Sequence, residues 1–328
     1  MTNEAAQHAA VVGAGVIGSA WAARFALHGI DVKVSDPSPD APRIIDEVLA
    51  NARAAWADLD LPTPGEGSIT VVGSIADAVD GAGHVQESAP ENPAIKVPIL
   101  EQIAAACPPE TVIASSTSGI KPSDLQPTIT NPERMVVGHP YNPVYLVPVV
   151  EVVGGDLTSS TAIDTAMSTY ERISMKPIHV RVEIDAFIGD RLLEAVWREA
   201  LWLVNDGVAT TQEIDDVMRY GFGLRWAQMG LFETYRIAGG EGGMAHFIRQ
   251  FGPCLEWPWT KLMDVPELTE DLVQTIADQS DAQSGAHSIR QLERIRDRNV
   301  AGIMRALEAN DWGAGTTLKG QRERLQDT

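Results

Sequence analysis

The sequence predicts an α/β protein in which a doubly wound sheet is followed by an all-helical C-terminal domain. Three observations carry that expectation. Short apolar runs alternate with helical patterns through the first half, as in βα units around a parallel sheet. A glycine turn, Gly13-Ala14-Gly15-Val16-Ile17-Gly18, follows the first apolar run and opens a helix. From Ala186 onward, long amphipathic patterns replace strands. The 328 residues exceed the ~250–300 at which single cores stop growing. The change of periodicity places the boundary between residues 1–184 and 185–328.

In order along the chain, Ala9 to Val12 reads as a buried strand, and Ile17 to His28 as the helix behind the glycine turn, stopped by Gly29. Val32 to Ser35 is a second strand ending at Asp36, followed by a helical stretch from Arg43 to Asp58. Further strands are expected at Ile69–Val72, His84–Glu87, Val112–Ala114, Met135–Val137, Val147–Val153 and Ile178–Val182. In the second half, Ala186–Asn205 carries Ile188, Leu192, Val196 and Leu203 on one helical stripe. The opposite stripe holds Asp190, Arg191, Glu194 and Arg198. Helices over Gln212–Tyr220, closed by Gly221, and over Ser288–Glu308 complete the pattern, and the last residues from Thr317 are expected to fray.

Composition narrows the function classes. Apolar residues at 44% and charged residues at 21% exclude global disorder. A net charge of -20 repels nucleic acid and anionic membrane surfaces and favours a cationic ligand. Cys107 and Cys254 have no paired spacing, so neither a disulfide framework nor a cysteine metal site is expected. The N-terminal MTNEAAQHAAVVGAG has no basic stretch, and no apolar run approaches the ~20 residues that span a bilayer. A cytoplasmic protein without a metal is the expectation.

The glycine turn is a dinucleotide signal because its context is complete: strand, helix and an acid closing the second strand. In a Rossmann-type unit Gly13 allows the tight turn, Gly15 admits the pyrophosphate and Gly18 permits close helix–strand packing. Val16 and Ile17 begin the helix whose N-terminus faces the phosphates. Asp36 accepts from the adenosine ribose and repels a 2′-phosphate, which favours NAD over NADP; FAD is the competing cofactor. As a bare residue before Pro37, Asp36 also suits a turn.

Alcohol oxidation needs a base, and His139, in Gly138-His139-Pro140-Tyr141-Asn142-Pro143, is the best placed of seven histidines. It is expected just past a strand, where carboxyl-end loops of α/β sheets form sites. Glu151 interrupts the apolar Val147–Val153 run, and a carboxylate there is costly unless paired. Pairing with His139 would orient the base. The hydroxyls of Ser115-Ser116-Thr117-Ser118 suit either substrate contact or turn capping.

Together the glycine fingerprint, the Ser116-Thr117-Ser118-Gly119 segment, Gly138-His139 with Asn142-Pro143, Glu151 and Phe187-Ile-Gly-Asp190-Arg191-Leu resemble the 3-hydroxyacyl-CoA dehydrogenase family over nearly the whole chain. The resemblance implies NAD, a helical second domain that completes the site, and a homodimer. It also implies that Ser118, His139 and Glu151 act together with a fourth residue, normally Asn and here Asp190. Glu91 and Lys96 fall where the family places an acid and a lysine near the nicotinamide ribose.

Three further segments, beginning at Asp190, Tyr220 and Trp257, resemble the branch of the family that oxidises L-carnitine. That branch implies a quaternary ammonium substrate, which aromatic faces and diffuse negative charge recognise. Six of eight tryptophans (Trp197, Trp202, Trp226, Trp257, Trp259 and Trp312) lie beyond residue 184. Trp226 and Tyr141 are the cage candidates and Arg225 the carboxylate candidate; tryptophans as helix packing and a solvated Arg225 are the alternatives. Acyl-CoA thioesters, gulonate-like sugar acids and a non-catalytic NAD-binding role are the competing readings.

Overall fold

The computed structural model describes residues 8–62, 65–238, 243–251 and 286–326, with scattered positions between 252 and 285 (260, 267, 269–272, 274, 275 and 278). Trp257 and Trp259 lie outside the described residues.

Apolar β-branched runs build the centre. Strand β1 (Ala9–Val12) is buried along its whole length, as a strand covered on both faces must be. Helix α1 (Val16–Leu27) follows it. Every residue of α1 from Gly18 to Leu27 is buried, which its small alanines allow against a crowded sheet. Gly29, at φ +77°, ends the helix as expected. Strand β2 (Val32–Ser35), helix α2 (Ala41–Asp58), β3 (Ile69–Val72), short α3 (Ile75–Val79), β4 (His84–Glu87), α4 (Pro93–Ala106), β5 (Val112–Ser115) and short α5 (Pro122–Leu125) come next. Strand β6 (Met135–Pro140), β7 (Val149–Gly154), helix α6 (Ser160–Arg172) and β8 (Lys176–Val180) complete the sheet.

The eight strands lie in the order β3-β2-β1-β4-β5-β6-β7-β8. The order reverses between β1 and β4, and such a switch point opens a crevice at the carboxyl ends. The sheet is not wholly parallel. β7 runs antiparallel to β6, with His139 directly opposite Glu151. His139 therefore sits within β6 and not beyond it. β8 is offset two residues from Ile178–Val182, and its Lys176, Ile178 and His179 are exposed.

Two compact units divide the chain: residues up to Asp190 together with Arg294 onward, and Arg191–Glu293. Residues 294–328 thus group with the sheet, whereas the sequence pattern assigned them to the helical domain. Their helices are α11 (Ile289–Glu308) and α12 (Ala314–Gln326). From Thr317 to Gln326 the chain is helical and not frayed as expected, because α12 buries Leu318, Gln321 and Leu325 on one stripe. Arg322 donates to the carbonyls of Leu59 and Asp60 and to Glu308. Trp312 belongs to this unit as well.

The second unit takes most of α7 (Gly189–Asn205), then α8 (Thr211–Val217), α9 (Gly223–Ala238) and α10 (Gly243–Phe251). Helix α7 starts three residues later than expected because Ala186 and Phe187 adopt positive φ, 60° and 49°, and turn the chain. The expected stop at Gly221 is a kink: a π-helical turn over Met218–Phe222 leads straight into α9. A groove of about 530 Å³ between α7 and α8 is lined by Trp197, Leu201, Ile214 and Met218 among others. Among the described residues, no helix is long and apolar enough to cross a membrane.

Candidate active site

The crevice at the switch point has the shape and chemistry of a dinucleotide site. A cavity of about 800 Å³ is bounded by Gly13, Gly15, Asp36, Ser74, Ser88 and Pro90, among others, at the carboxyl ends of β1, β2 and β4. Gly13, at φ +98°, leaves a Cβ only 2.6 Å from the Ser88 carbonyl oxygen, and a Cβ on Gly18 would lie 1.8 Å from the Gly13 carbonyl oxygen. Gly15 faces open space, so its backbone is free for close approach by a ligand. No side chain caps the N-terminus of α1 at Gly15, which leaves its amide groups and dipole for an anion. Asp36 Oδ2 accepts from the Ala14 N–H at 2.6 Å and Oδ1 from the Ser38 N–H at 2.7 Å. The acid thus fastens the glycine turn and still lines the cavity. These residues fit NAD.

Beside this crevice lies a buried polar brace in which sequence reasoning had assigned roles to Glu91 and Lys96 but not to Glu87. Lys96 is almost fully buried. Its Nζ donates to Glu87 Oε1 at 3.0 Å and to the Ala89 carbonyl at 2.9 Å, and sits 3.6 Å from Glu91 Oε2. Glu87 also accepts from Ser115 Oγ at 2.5 Å. Glu91 Oε1 accepts from the Thr117 hydroxyl at 2.5 Å and from the backbone N–H of Ser118 at 3.0 Å. Lys96, Glu91 and the loop carrying Ser118 are therefore joined. The exposed Ser118 hydroxyl is not bonded to His139 among the described hydrogen bonds. Ser116, which the sequence marks only as one of the hydroxyl cluster, is more connected: Trp21 Nε1 donates to it at 3.1 Å and Gln86 Nε2 at 2.8 Å, and Ser88 Oγ lies 2.9 Å away. Gln86 also reaches the Gly138 carbonyl, at 3.3 Å, beside His139. No sequence pattern marks Gln86, because its role depends on which strands become neighbours.

His139 and Glu151 meet across β6 and β7, as directly opposed antiparallel residues do. His139 Nδ1 lies 2.9 Å from Glu151 Oε2. Glu151 Oε1 accepts from the backbone N–H groups of Ile188, at 3.0 Å, and Gly189, at 3.1 Å. The carboxylate in the apolar strand therefore caps the start of α7 and orients the imidazole at once. Burial pushes Glu151 upward, but the hydrogen bonds from His139 and these backbone amides outweigh it and hold the carboxyl below its ordinary range. Tyr141 Oη donates to Glu151 Oε2 at 3.4 Å. Burial, then the charges of Glu151 and Asp190, raise its phenol far above the ordinary tyrosine range, so it stays protonated. Gly189 leaves room for Tyr141: a Cβ there would fall 1.1 Å from Tyr141 Oη and displace the ring.

Asp190, on the first turn of α7, brings a second carboxylate to His139, with Oδ2 3.7 Å from Nε2. With Nδ1–H given to Glu151, Nε2 carries the lone pair and is the nitrogen able to take a proton. The His139 ring also packs at a tilt against Tyr141 and Phe187, with ring centroids 5.3 and 5.6 Å away. Arg225 and Trp226 belong to α9 in the second unit. Trp226 packs on Phe222 at 4.6 Å with about a third of its surface exposed, and Arg225 is exposed. Among the described residues no cluster of three or more His, Cys, Asp or Glu is placed to hold a metal.

A Rossmann crevice and a buried imidazole–carboxylate pair thus belong to the same sheet. The profile of the 3-hydroxyacyl-CoA dehydrogenase NAD-binding domain matches residues 8–184, and that of the corresponding C-terminal domain matches residues 187–278. The chain belongs to the 3-hydroxyacyl-CoA dehydrogenase family, and its cofactor is NAD. It is 55% identical to an L-carnitine dehydrogenase of Mesorhizobium japonicum, over 97% of this chain and 89% of that one. It is 61% identical to an L-carnitine dehydrogenase/betainyl-CoA thioesterase of Agrobacterium fabrum, over 96% of this chain and 65% of that protein. The chain thus spans just under two thirds of the length of such bifunctional relatives. Among solved structures it resembles an NAD-dependent dismutase, 5-formyl-3-hydroxy-2-methylpyridine 4-carboxylic acid 5-dehydrogenase. That match has a TM-score of 0.81 and 30% identity, over 92% of this chain and 98% of that one.

Proposed function

We propose that the chain oxidises the 3-hydroxyl of L-carnitine to give 3-dehydrocarnitine, with NAD as cofactor. The observation that carries the reading is the His139–Glu151 pair, 2.9 Å apart, with Nε2 facing away from its carboxylate partner. The names of the similar dehydrogenases support the substrate. NAD, when bound in the crevice, supplies a hydride acceptor. His139 Nε2 takes the hydroxyl proton, and Glu151 holds the ring and stabilises the imidazolium that forms. Ser118 hydrogen-bonds the reacting oxygen, on a loop fixed by Glu91 and Lys96. Arg225 pairs with the substrate carboxylate, and Tyr141 and Trp226 offer aromatic faces to the trimethylammonium group.

A cytoplasmic homodimer belongs to the same reading. The exposed apolar side chains of the second unit, Leu192, Trp197 and Leu224 among them, suit contact with a second copy. The test is NADH formation from NAD with L-carnitine, gulonate and 3-hydroxybutyryl-CoA in parallel, with NADP as control. Turnover of L-carnitine with NAD, and little of the other two, is the expected result. Faster turnover of the thioester or the sugar acid overturns the substrate.

A further inference from the structure

We infer that Ser88 is a cofactor-contacting residue, whose hydroxyl donates a hydrogen bond to the ribose on the nicotinamide side of the bound dinucleotide. The inference rests on NAD as the cofactor and not on which hydroxy acid is oxidised. The Ser88 hydroxyl ends a chain of side chains whose hydrogen-bond directions are fixed. Gln86, on β4, reaches the Gly138 carbonyl at 3.3 Å with one end of its amide and the Tyr170 hydroxyl at 2.8 Å with the other. A carbonyl only accepts, so the end facing Gly138 is the NH₂ group. The same nitrogen donates to Ser116 Oγ at 2.8 Å, and Trp21 Nε1, a donor only, reaches that oxygen at 3.1 Å. Both lone pairs of Ser116 Oγ are thereby taken. Its own proton is left for Ser88 Oγ, 2.9 Å away.

Ser88 thus accepts from inside the protein, and its own proton points elsewhere. No described hydrogen bond uses that proton, and the half-buried side chain lines the crevice of about 800 Å³ together with Gly13 and Gly15. A Cβ on Gly18 would lie 3.2 Å from that of Ser88, so the serine is seated against the first turn of α1. The strand order then says which part of the dinucleotide it meets. In the order β2-β1-β4, Asp36 closes β2, Gly13 and Gly15 follow β1, and Ser88 follows β4. A dinucleotide with its adenosine ribose at Asp36 and its diphosphate at the start of α1 carries its second ribose over the end of β4. His139 lies two strands further on, in β6. A sugar hydroxyl accepts such a proton, and the Gln86 amide ties the same donor to the strand that carries the base.

The test measures calorimetric affinity for ADP, ADP-ribose and NADH in the intact protein and in its Ser88→Ala and Ser116→Ala variants. ADP ends at the diphosphate, whereas the other two ligands carry the second ribose. Ser88→Ala is expected to weaken ADP-ribose and NADH by about three- to tenfold, the size of one neutral hydrogen bond, and to leave ADP within about twofold. Ser116→Ala keeps the Ser88 donor but frees its direction, and is expected to weaken the same two ligands by less. ADP reports on the glycine turn and the diphosphate site, so a loss that ADP shares overturns the inference. Unchanged affinity for ADP-ribose and NADH in Ser88→Ala overturns it too. A larger loss in Ser116→Ala than in Ser88→Ala contradicts the direction of the chain, and with it the donor role of Ser88.

Discussion

Glu87 and Glu151 pose the same physical problem in two places and solve it in opposite ways. Each is a carboxylate in a buried strand of one sheet, at 0% and 3% exposure, where an unpaired charge is costly. Glu87 is answered by a permanent cation, Lys96 Nζ, and by the Ser115 hydroxyl opposite it on β5. That arrangement is a brace under the cofactor crevice. Glu151 is answered by an imidazole and by the backbone amides at the start of α7. In the proposed reaction that imidazole is the base, and the same buried carboxylate orients it. The nature of the partner, not burial, separates the two sites: a lysine for Glu87 and an imidazole for Glu151.

The comparison breaks most visibly at Lys96. Lys96→Met leaves Glu87 buried without its cation and is expected to destabilise the fold by about 3–5 kcal/mol in urea denaturation. The Glu87→Gln/Lys96→Met double variant should recover most of that loss, and a single variant as stable as wild type would refute the brace. Glu151→Gln keeps a carbonyl oxygen for the α7 amides but removes the charge that stabilises the imidazolium. It should lower kcat by about 10² while leaving NADH affinity within about twofold, by turnover and calorimetry side by side.

A further contrast is with buried histidines whose described hydrogen bonds go to carbonyl or amide groups and not to a carboxylate. Burial, and for His28 also the charge of Arg24, lowers the imidazole of His28 to about 3, and burial lowers that of His84 to about 4. Both are below the ordinary 6.5, so the unfolded chain binds protons first. Their contribution to stability is full above about 6.5 and is lost as pH falls toward 4. The slope is on the order of 1.4 kcal/mol per pH unit for each histidine. A flat stability between pH 6.5 and 4.5 would contradict the burial of both rings.

Much of the site was legible because its signals are local. The Gly13–Gly18 turn, Asp36, His139 and Glu151 each stand at the end of, or inside, an apolar run that marks a strand. Glu87 and Gln86 were not legible as site residues. Their partners, Ser115, Lys96, Ser116 and Gly138, become neighbours only once the strand order is known. The antiparallel turn of β7 hid for the same reason, although the twelve-residue interval from His139 to Glu151 is what that hairpin-like pairing spans. The tail was misread because its charged sequence outweighs a sparse stripe of Leu318, Gln321 and Leu325, which nonetheless recurs at helical spacing. The start of α7 was misplaced because Ala186 and Phe187 adopt positive φ, which neither residue type announces.

The most direct test of the account is His139→Ala, assayed for turnover and for NADH binding in the same preparation. The account predicts a fall in kcat of about 10² to 10⁴ with NADH affinity unchanged within about twofold. Retained turnover, or a loss of NADH binding that parallels the loss of rate, would contradict it.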